Sequence, residues 1–160
     1  MAAAGLSTLG ILFGYGVETT AGTKPTSFTQ LTRINQIGGV SLETEQIDAS
    51  ALEDYITRYI AGRQDTGGTF PVTVNLTEDT ISEWEKVISD FKTAQEAGKQ
   101  MWFETYSPYL KDGFYVIAEP PLEIPQPETD QNGLWTVEMT LTINEYKGMD
   151  TAIKPVKAGE

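Results

Sequence analysis

Four groups of side chains in this sequence have the types and spacing to carry chemistry, and each is undercut by its surroundings. Glu43 and Glu45, and Glu53 beside Asp54, are paired carboxylates of the kind that supply acid and base in glycoside hydrolysis. Nothing in the sequence beside them gives one carboxyl of a pair surroundings different from the other's, as separate acid and base roles require, and residues two apart on a strand share a face, as solvated polar residues do. Asp65-Thr66-Gly67 is the aspartic-protease tripeptide, but that chemistry needs a second copy to supply the partner carboxylate, and the chain has no second copy. Asp65-Thr-Gly-Gly and Asp130-Gln-Asn-Gly look like calcium-loop fragments, yet lack the alternating oxygen ligands and the closing glutamate, and so read as turns. Trp84, Trp102 and Trp135 could stack on sugar rings. Trp84 and Trp135 follow core periodicity, which leaves Trp102 as the expected exposed platform.

Composition narrows the field further. The chain has no histidine and no cysteine, so the commonest general base, the commonest metal ligand, thiolate sites and disulfides are all missing. The expectation is a protein that is not an enzyme, with no catalytic residues, no metal and no cofactor. Asp and Glu number 23 against 11 Lys and Arg, giving a net charge of −12. Such a chain repels phosphate rather than binding it, since affinity for nucleic acid comes mainly from Lys and Arg. An aromatic share of 10% argues against disorder, and 160 residues suit one domain. The apolar N-terminus, residues 1–16, has no basic n-region and is interrupted by Gly5, Gly10, Gly14 and Gly16. It is expected to be a flexible arm or first strand rather than a signal peptide. No stretch reaches the length of apolar sequence that a membrane helix needs, so no membrane partner is expected.

The positions of these residues depend on a run of strands and one helix. Thr29–Ile37 alternates imperfectly and reads as one strand. Gly38-Gly39 then predicts a tight turn into a second strand, Val40–Ile47, which would make a hairpin. Asp48 and Ser50 should end that strand. Tyr55-Ile-Thr-Arg-Tyr-Ile60 has no solvent side, and Gly62–Gly68 reads as a mobile exposed loop, so residues 49–68 form a long loop. Val72–Leu76 is a short strand. Thr77 caps a helix whose apolar face is Ile81, Trp84, Val87, Ile88 and Phe91, with Gly98 at its C-terminal stop. Met101–Tyr106 and Phe114–Ala118 predict a hairpin, and Pro120, Pro121, Pro125 and Pro127 a stiff connection. The cleanest strand is Leu134–Ile143, where Val137, Met139, Leu141 and Ile143 alternate with polar residues. Residues 149–160, polar and lysine-bearing, are expected to fray unless a neighbour holds them. The fold class is therefore mainly β, a β-sandwich or curled barrel flanked by one α-helix, as a single domain spanning 1–160.

The order of Leu9-Gly-Ile-Leu-Phe-Gly-Tyr15, Glu43-x-Glu45-x-Ile47-Asp48 and Tyr59-Ile-Ala-Gly-Arg63-Gln-Asp65-Thr-Gly-Gly68 resembles the major tail tube proteins of long-tailed, siphovirus-type bacteriophages, over nearly the whole chain. The resemblance implies a structural virion protein that assembles into stacked hexameric rings, the conduit for DNA ejection into the host. It would be made in the bacterial host cytoplasm and end in the phage tail. Its partners would be copies of itself, the tape-measure protein, the tail terminator and the baseplate or tail-tip proteins, with DNA passing through the lumen without specific binding. On this reading the contacts between subunits or rings fall to Leu9, Leu12, Phe13, Tyr55, Ile56, Tyr59, Ile60, Arg63 and Asp65. Glu43, Glu45, Thr136, Glu138 and Thr140 would face the lumen. Two alternatives stand beside it: the inner-tube protein of a contractile tail or secretion system, and, from another class, a β-sandwich carbohydrate-binding module.

Overall fold

The computed structural model describes residues 4–65 and 67–157. Its elements, in chain order, are β1 (Leu12–Val17), β2 (Thr29–Leu31), β3 (Ile34–Ile37), β4 (Glu43–Asp48), β5 (Tyr59–Asp65), β6 (Thr69–Asn75), α1 (Glu78–Glu96), β7 (Met101–Tyr106), β8 (Asp112–Glu119) and β9 (Thr136–Thr151). Seven strands form one antiparallel sheet in the order β2-β1-β7-β8-β9-β6-β3, while β4 and β5 form a separate two-stranded ribbon. The expectation of a mainly β fold with one helix holds.

The sheet order forces the sheet to curl. β2 and β3 are its two outermost strands, yet only Thr32 and Arg33 separate them in sequence. Three Cα steps span at most about 11 Å, so the two margins must meet at this corner and the sheet closes into a barrel. The expected single strand Thr29–Ile37 is in fact this bent strand, divided between the two margins. Arg33 takes the bend with φ of 56°. The corner is pinned from α1 by Glu83, whose carboxylate accepts from the Thr32 backbone N–H (3.0 Å) and hydroxyl (2.7 Å).

The predicted hairpin through Gly38-Gly39 does not form. β3 pairs with β6, in the register Ile34↔Val74 and Ile37↔Val72, and β4 pairs with β5 instead. Gly38 continues along β6: its N–H donates to the Pro71 carbonyl at 2.8 Å, and a Cβ there would lie 2.7 Å from the Pro71 ring. The glycine permits close approach rather than reversal.

α1 follows its sequence signals. Thr77 and Thr80 make a reciprocal capping box, and Gly98 follows the helix with φ of 74°. Trp84, Val87 and Phe91 lie in the main core with Phe13, Phe70 and Phe103, and the Phe13 and Phe103 rings stack at 5.7 Å. The Tyr15 hydroxyl donates to Asp90 at 2.8 Å and ties the helix to β1. On β9, Val137, Met139, Leu141 and Ile143 are buried while Glu138, Thr140 and Thr142 are exposed, as the alternation predicts.

The opposite face of the sheet carries a second, smaller core of Phe28, Trp102, Tyr115 and Ile117, with Ile153 packed against it. This overturns two expectations. Residues 149–157 do not fray: β9 runs on to Thr151, Pro155 is buried, and Val156 exchanges backbone hydrogen bonds with Phe28 and Gln30 at the outer side of β2. Trp102 is only 5% exposed, whereas Trp135 is 49% exposed, the reverse of what periodicity suggested. β7 is covered on both faces, and Trp135 precedes β9 in an irregular segment where strand alternation does not apply.

Candidate assembly surface

The ribbon is built by cross-strand pairs Glu43↔Asp65, Thr44↔Gln64, Gln46↔Ala61, Ile47↔Ile60 and Asp48↔Tyr59. Between the second and third pairs, Glu45 alone stands opposite Gly62 and Arg63, a bulge that twists the ribbon. Its connection, residues 49–58, is held by its own polar groups. Asp48 accepts from the Ser50 N–H (2.9 Å), which lowers the Asp48 pKa; Asp54 accepts from the Ala51 N–H (2.8 Å) and pairs with Arg58 (3.1 Å); and Ser50 Oγ accepts from the Arg58 N–H (2.8 Å). The stretch 49–68 is thus not one long loop: β5 (Tyr59–Asp65) takes up most of its second half.

What this ribbon lacks is cover. Leu42, Ile47, Leu52, Tyr55, Ile56, Tyr59 and Ile60 are all exposed, and pairing puts Ile47 and Ile60 on one face and Tyr59 on the other. A two-stranded hairpin with neither face buried is at best marginally stable by itself. Exposed apolar side chains gathered in this way on an otherwise acidic protein make the ribbon the candidate interaction surface.

Of the predicted contact residues, Tyr55, Ile56, Tyr59, Ile60, Arg63 and Asp65 come together on the ribbon and are exposed. Leu9 is exposed ahead of β1, and Leu12 is half-buried. Phe13 is a correction: at 1% exposure it lies between Phe70 and Phe103 in the protein's own core and has no surface to offer a neighbour. The predicted lumen residues divide between two sheets. Glu43 and Glu45 are on the ribbon. Glu138 and Thr140, with the half-buried Thr136, point away from the core on β9, opposite Thr73, Pro71 and Asn75 of β6. Their joint surface carries three threonine hydroxyls and one carboxylate beside Asn75 and Pro71.

Sequence reasoning missed two buried acids. Glu18 accepts from the Gln100 N–H (2.8 Å) and the Trp102 indole N–H (3.0 Å). Glu104, fully buried, accepts from the Tyr115 hydroxyl (2.9 Å) and the Ile153 N–H (3.0 Å), which anchors residues 152–157 over the second core. Burial pushes the Glu104 carboxyl up, against the opposing pull of those two donors and Lys24. Lys24 sits 4.0 Å above the Tyr115 ring and donates to the Thr151 carbonyl. The available signal was Met101-Trp-Phe-Glu104, a strand without a wet face, where a carboxylate must be bonded internally.

One end of the barrel is open. A cavity of about 590 Å³ lies there, lined by Ile11, Ile34, Ile37, Val40, Phe114 and Tyr146 among others, where β1 and β8 begin and β3 and β7 end.

This architecture is shared with six-fold assemblies. The fold matches a chain in the tail of an empty GTA particle of C6 symmetry, with a TM-score of 0.57 at 12% identity over 93% of this chain and 100% of that one. It also matches a chain of the six-fold-symmetrised anti-feeding prophage (AFP) baseplate, with a TM-score of 0.52 at 12% identity over 95% and 97% of the two chains. No family model matches the sequence, and no curated protein matches it. At this identity the likeness is one of fold.

Proposed function

We propose that this chain is the tube-forming subunit of a phage-tail-like particle, a structural protein without catalytic activity that associates with copies of itself into six-membered rings. The observation that carries this reading is the bare ribbon: an antiparallel pair with apolar side chains on both faces, attached to a barrel whose own core is complete. A surface that is unsuitable for a solitary protein is suitable for a closing ring, because each subunit can cover its neighbour's ribbon. The fold shared with two six-fold particles supports the same stoichiometry.

On this reading the rings stack into a tube around a tape-measure protein and later around DNA, with terminator and baseplate or tail-tip proteins at the ends. Six copies at −12 carry about −72 per ring, so a wall that includes part of that charge repels the passing phosphates. The Glu138, Thr140 and Thr142 face of β9 is the proposed wall. The siphovirus-type tube and the inner tube of a contractile apparatus make the same demands on this chain and are separated by the presence of a sheath protein. A carbohydrate-binding module is disfavoured because Trp102 is buried and bonded to Glu18, leaving Trp135 as the lone half-exposed indole among the described residues.

Negative-stain electron microscopy of the purified protein at rising concentration tests the proposal. Rings or tubes of six-fold symmetry are expected, and a protein that stays monomeric at high concentration overturns it.

A further inference from the structure

The ribbon and the open barrel end complement each other in two respects, and one copy cannot use both on itself while its ribbon remains exposed. The ribbon ends in an apolar tip of Leu52, Tyr55 and Ile56. The barrel end is an apolar cavity of about 590 Å³ whose lining includes Ile34, Ile37, Val40 and Phe114, and Met149 stands beside Phe114 in the β8–β9 register and is also exposed.

Charge runs the same way. Residues 42–65 carry six acids, Glu43, Glu45, Asp48, Glu53, Asp54 and Asp65, against Arg58 and Arg63, and the only ion pair within it among the described residues is Arg58–Asp54. Lysines stand outside the cavity lining: Lys111 in the turn between β7 and β8, Lys24 beside Asp150 and over the Tyr115 ring, Lys147 on β9 over the Trp102 ring, and Lys154 after β9. Lys24 and Lys147 are already paired with Asp150 and Glu145, which leaves exposed Lys111 and Lys154, with Asp112 as the nearby opposing acid, to receive charge from outside.

We propose that the barrel end is the receptor for the ribbon of a second copy of this chain, with the Leu52–Ile56 tip over the cavity and the ribbon acids toward Lys111 and Lys154. The inference rests on the proposed tube function and adds the missing half of its contact. Because donor and receptor are different surfaces, the contact is heterologous and repeats from copy to copy until a ring closes or a filament grows.

The chain has no cysteine, so introduced thiols report the contact without background. Thr57→Cys places one beside the tip and Met149→Cys one at the rim, both at exposed positions that leave the apolar tip and the cavity lining intact. The two variants are mixed, allowed to assemble and mildly oxidised. The expected result is a disulfide-linked dimer joining the tip thiol of one variant to the rim thiol of the other, identified by peptide mass. No such dimer is expected when Thr57→Cys is mixed with Ser82→Cys, whose thiol lies on the exposed side of α1. Lys111→Glu combined with Lys154→Glu is expected to raise the concentration for half-assembly severalfold at low salt, with the difference shrinking at about 1 M salt. Assembly in which the tip thiol cross-links equally to the helix thiol, or not at all to the rim thiol, overturns the receptor assignment and leaves the tube reading standing. Failure of the unmodified protein to associate at all overturns both.

Discussion

Ile47 stands directly opposite Ile60 across the β4–β5 ribbon, and the two side chains remain 46% and 55% exposed. A cross-strand pair of β-branched side chains stabilises a sheet when something covers it. Here the pair stands open, and in the proposed ring a neighbouring copy covers it. Ile60→Lys and Ile56→Ser are therefore expected to change the folding stability of the monomer by no more than about 0.5 kcal/mol while abolishing rings and tubes. Urea unfolding and microscopy of the same preparations check the two halves of this prediction. Loss of the fold would mean that the ribbon serves the monomer.

The opposite balance holds for Trp84. Its ring is fully buried in the main core, on the face of α1 that seals the barrel. Trp84→Ala is expected to cost about 3–5 kcal/mol, read as a shift in the urea midpoint with little change in slope.

Glu104 gives the stability a pH dependence of defined sign. Burial raises its folded pKa above the unfolded value, so its contribution is fully present below the unfolded pKa of 4.5 and is lost as pH rises through the folded one. Compared with Glu104→Gln, which keeps the shape without the charge, the wild-type protein should lose ground steadily from acid toward neutral pH. Paired urea titrations across that range measure the difference. A constant difference would show that the carboxylate ionises as it does in the unfolded chain.

The outward face of β9 offers a test that concerns DNA. Glu138 is exposed opposite Thr73, away from both cores, so Glu138→Lys should leave folding within about 0.5 kcal/mol of wild type. In an assembled tube it would replace six carboxylates by six ammonium groups in every ring. DNA retention that weakens steeply with salt is the expected result. Filter binding of assembled variant and wild-type tubes across a salt series reads it. Unchanged retention would remove β9 from the lumen.

The parts of this fold legible in the sequence were those decided locally. β9 announced itself because the alternation of Val137, Met139, Leu141 and Ile143 is dictated by one sheet face, and α1 because Thr77, the three-and-four spacing and Gly98 all lie within one segment. The β7–β8 hairpin is local too. Pairings between distant segments were misread. Gly38-Gly39 looks like a turn until Pro71 is brought against it, and Phe13 looks like part of a free arm until β2 and β7 flank β1. The exposed tip at Tyr55 and Ile56 was legible as a segment without a wet side, whereas its receptor was not. That cavity is assembled from residues between Thr8 and Tyr146, and only the closed barrel puts them together.

The corner at Thr32–Arg33 also sets an order of events. Between its two arms in the sheet lie β1, β7, β8, β9 and β6, so the margins cannot be joined through the sheet until β9, which ends at Thr151, has entered between β8 and β6. A chain still emerging from the ribosome carries its sticky ribbon early, at residues 43–65, but holds an incomplete barrel and no finished cavity for another ribbon to meet. Synthesis itself thus acts as a timer, withholding one half of the contact until the last strand has been made.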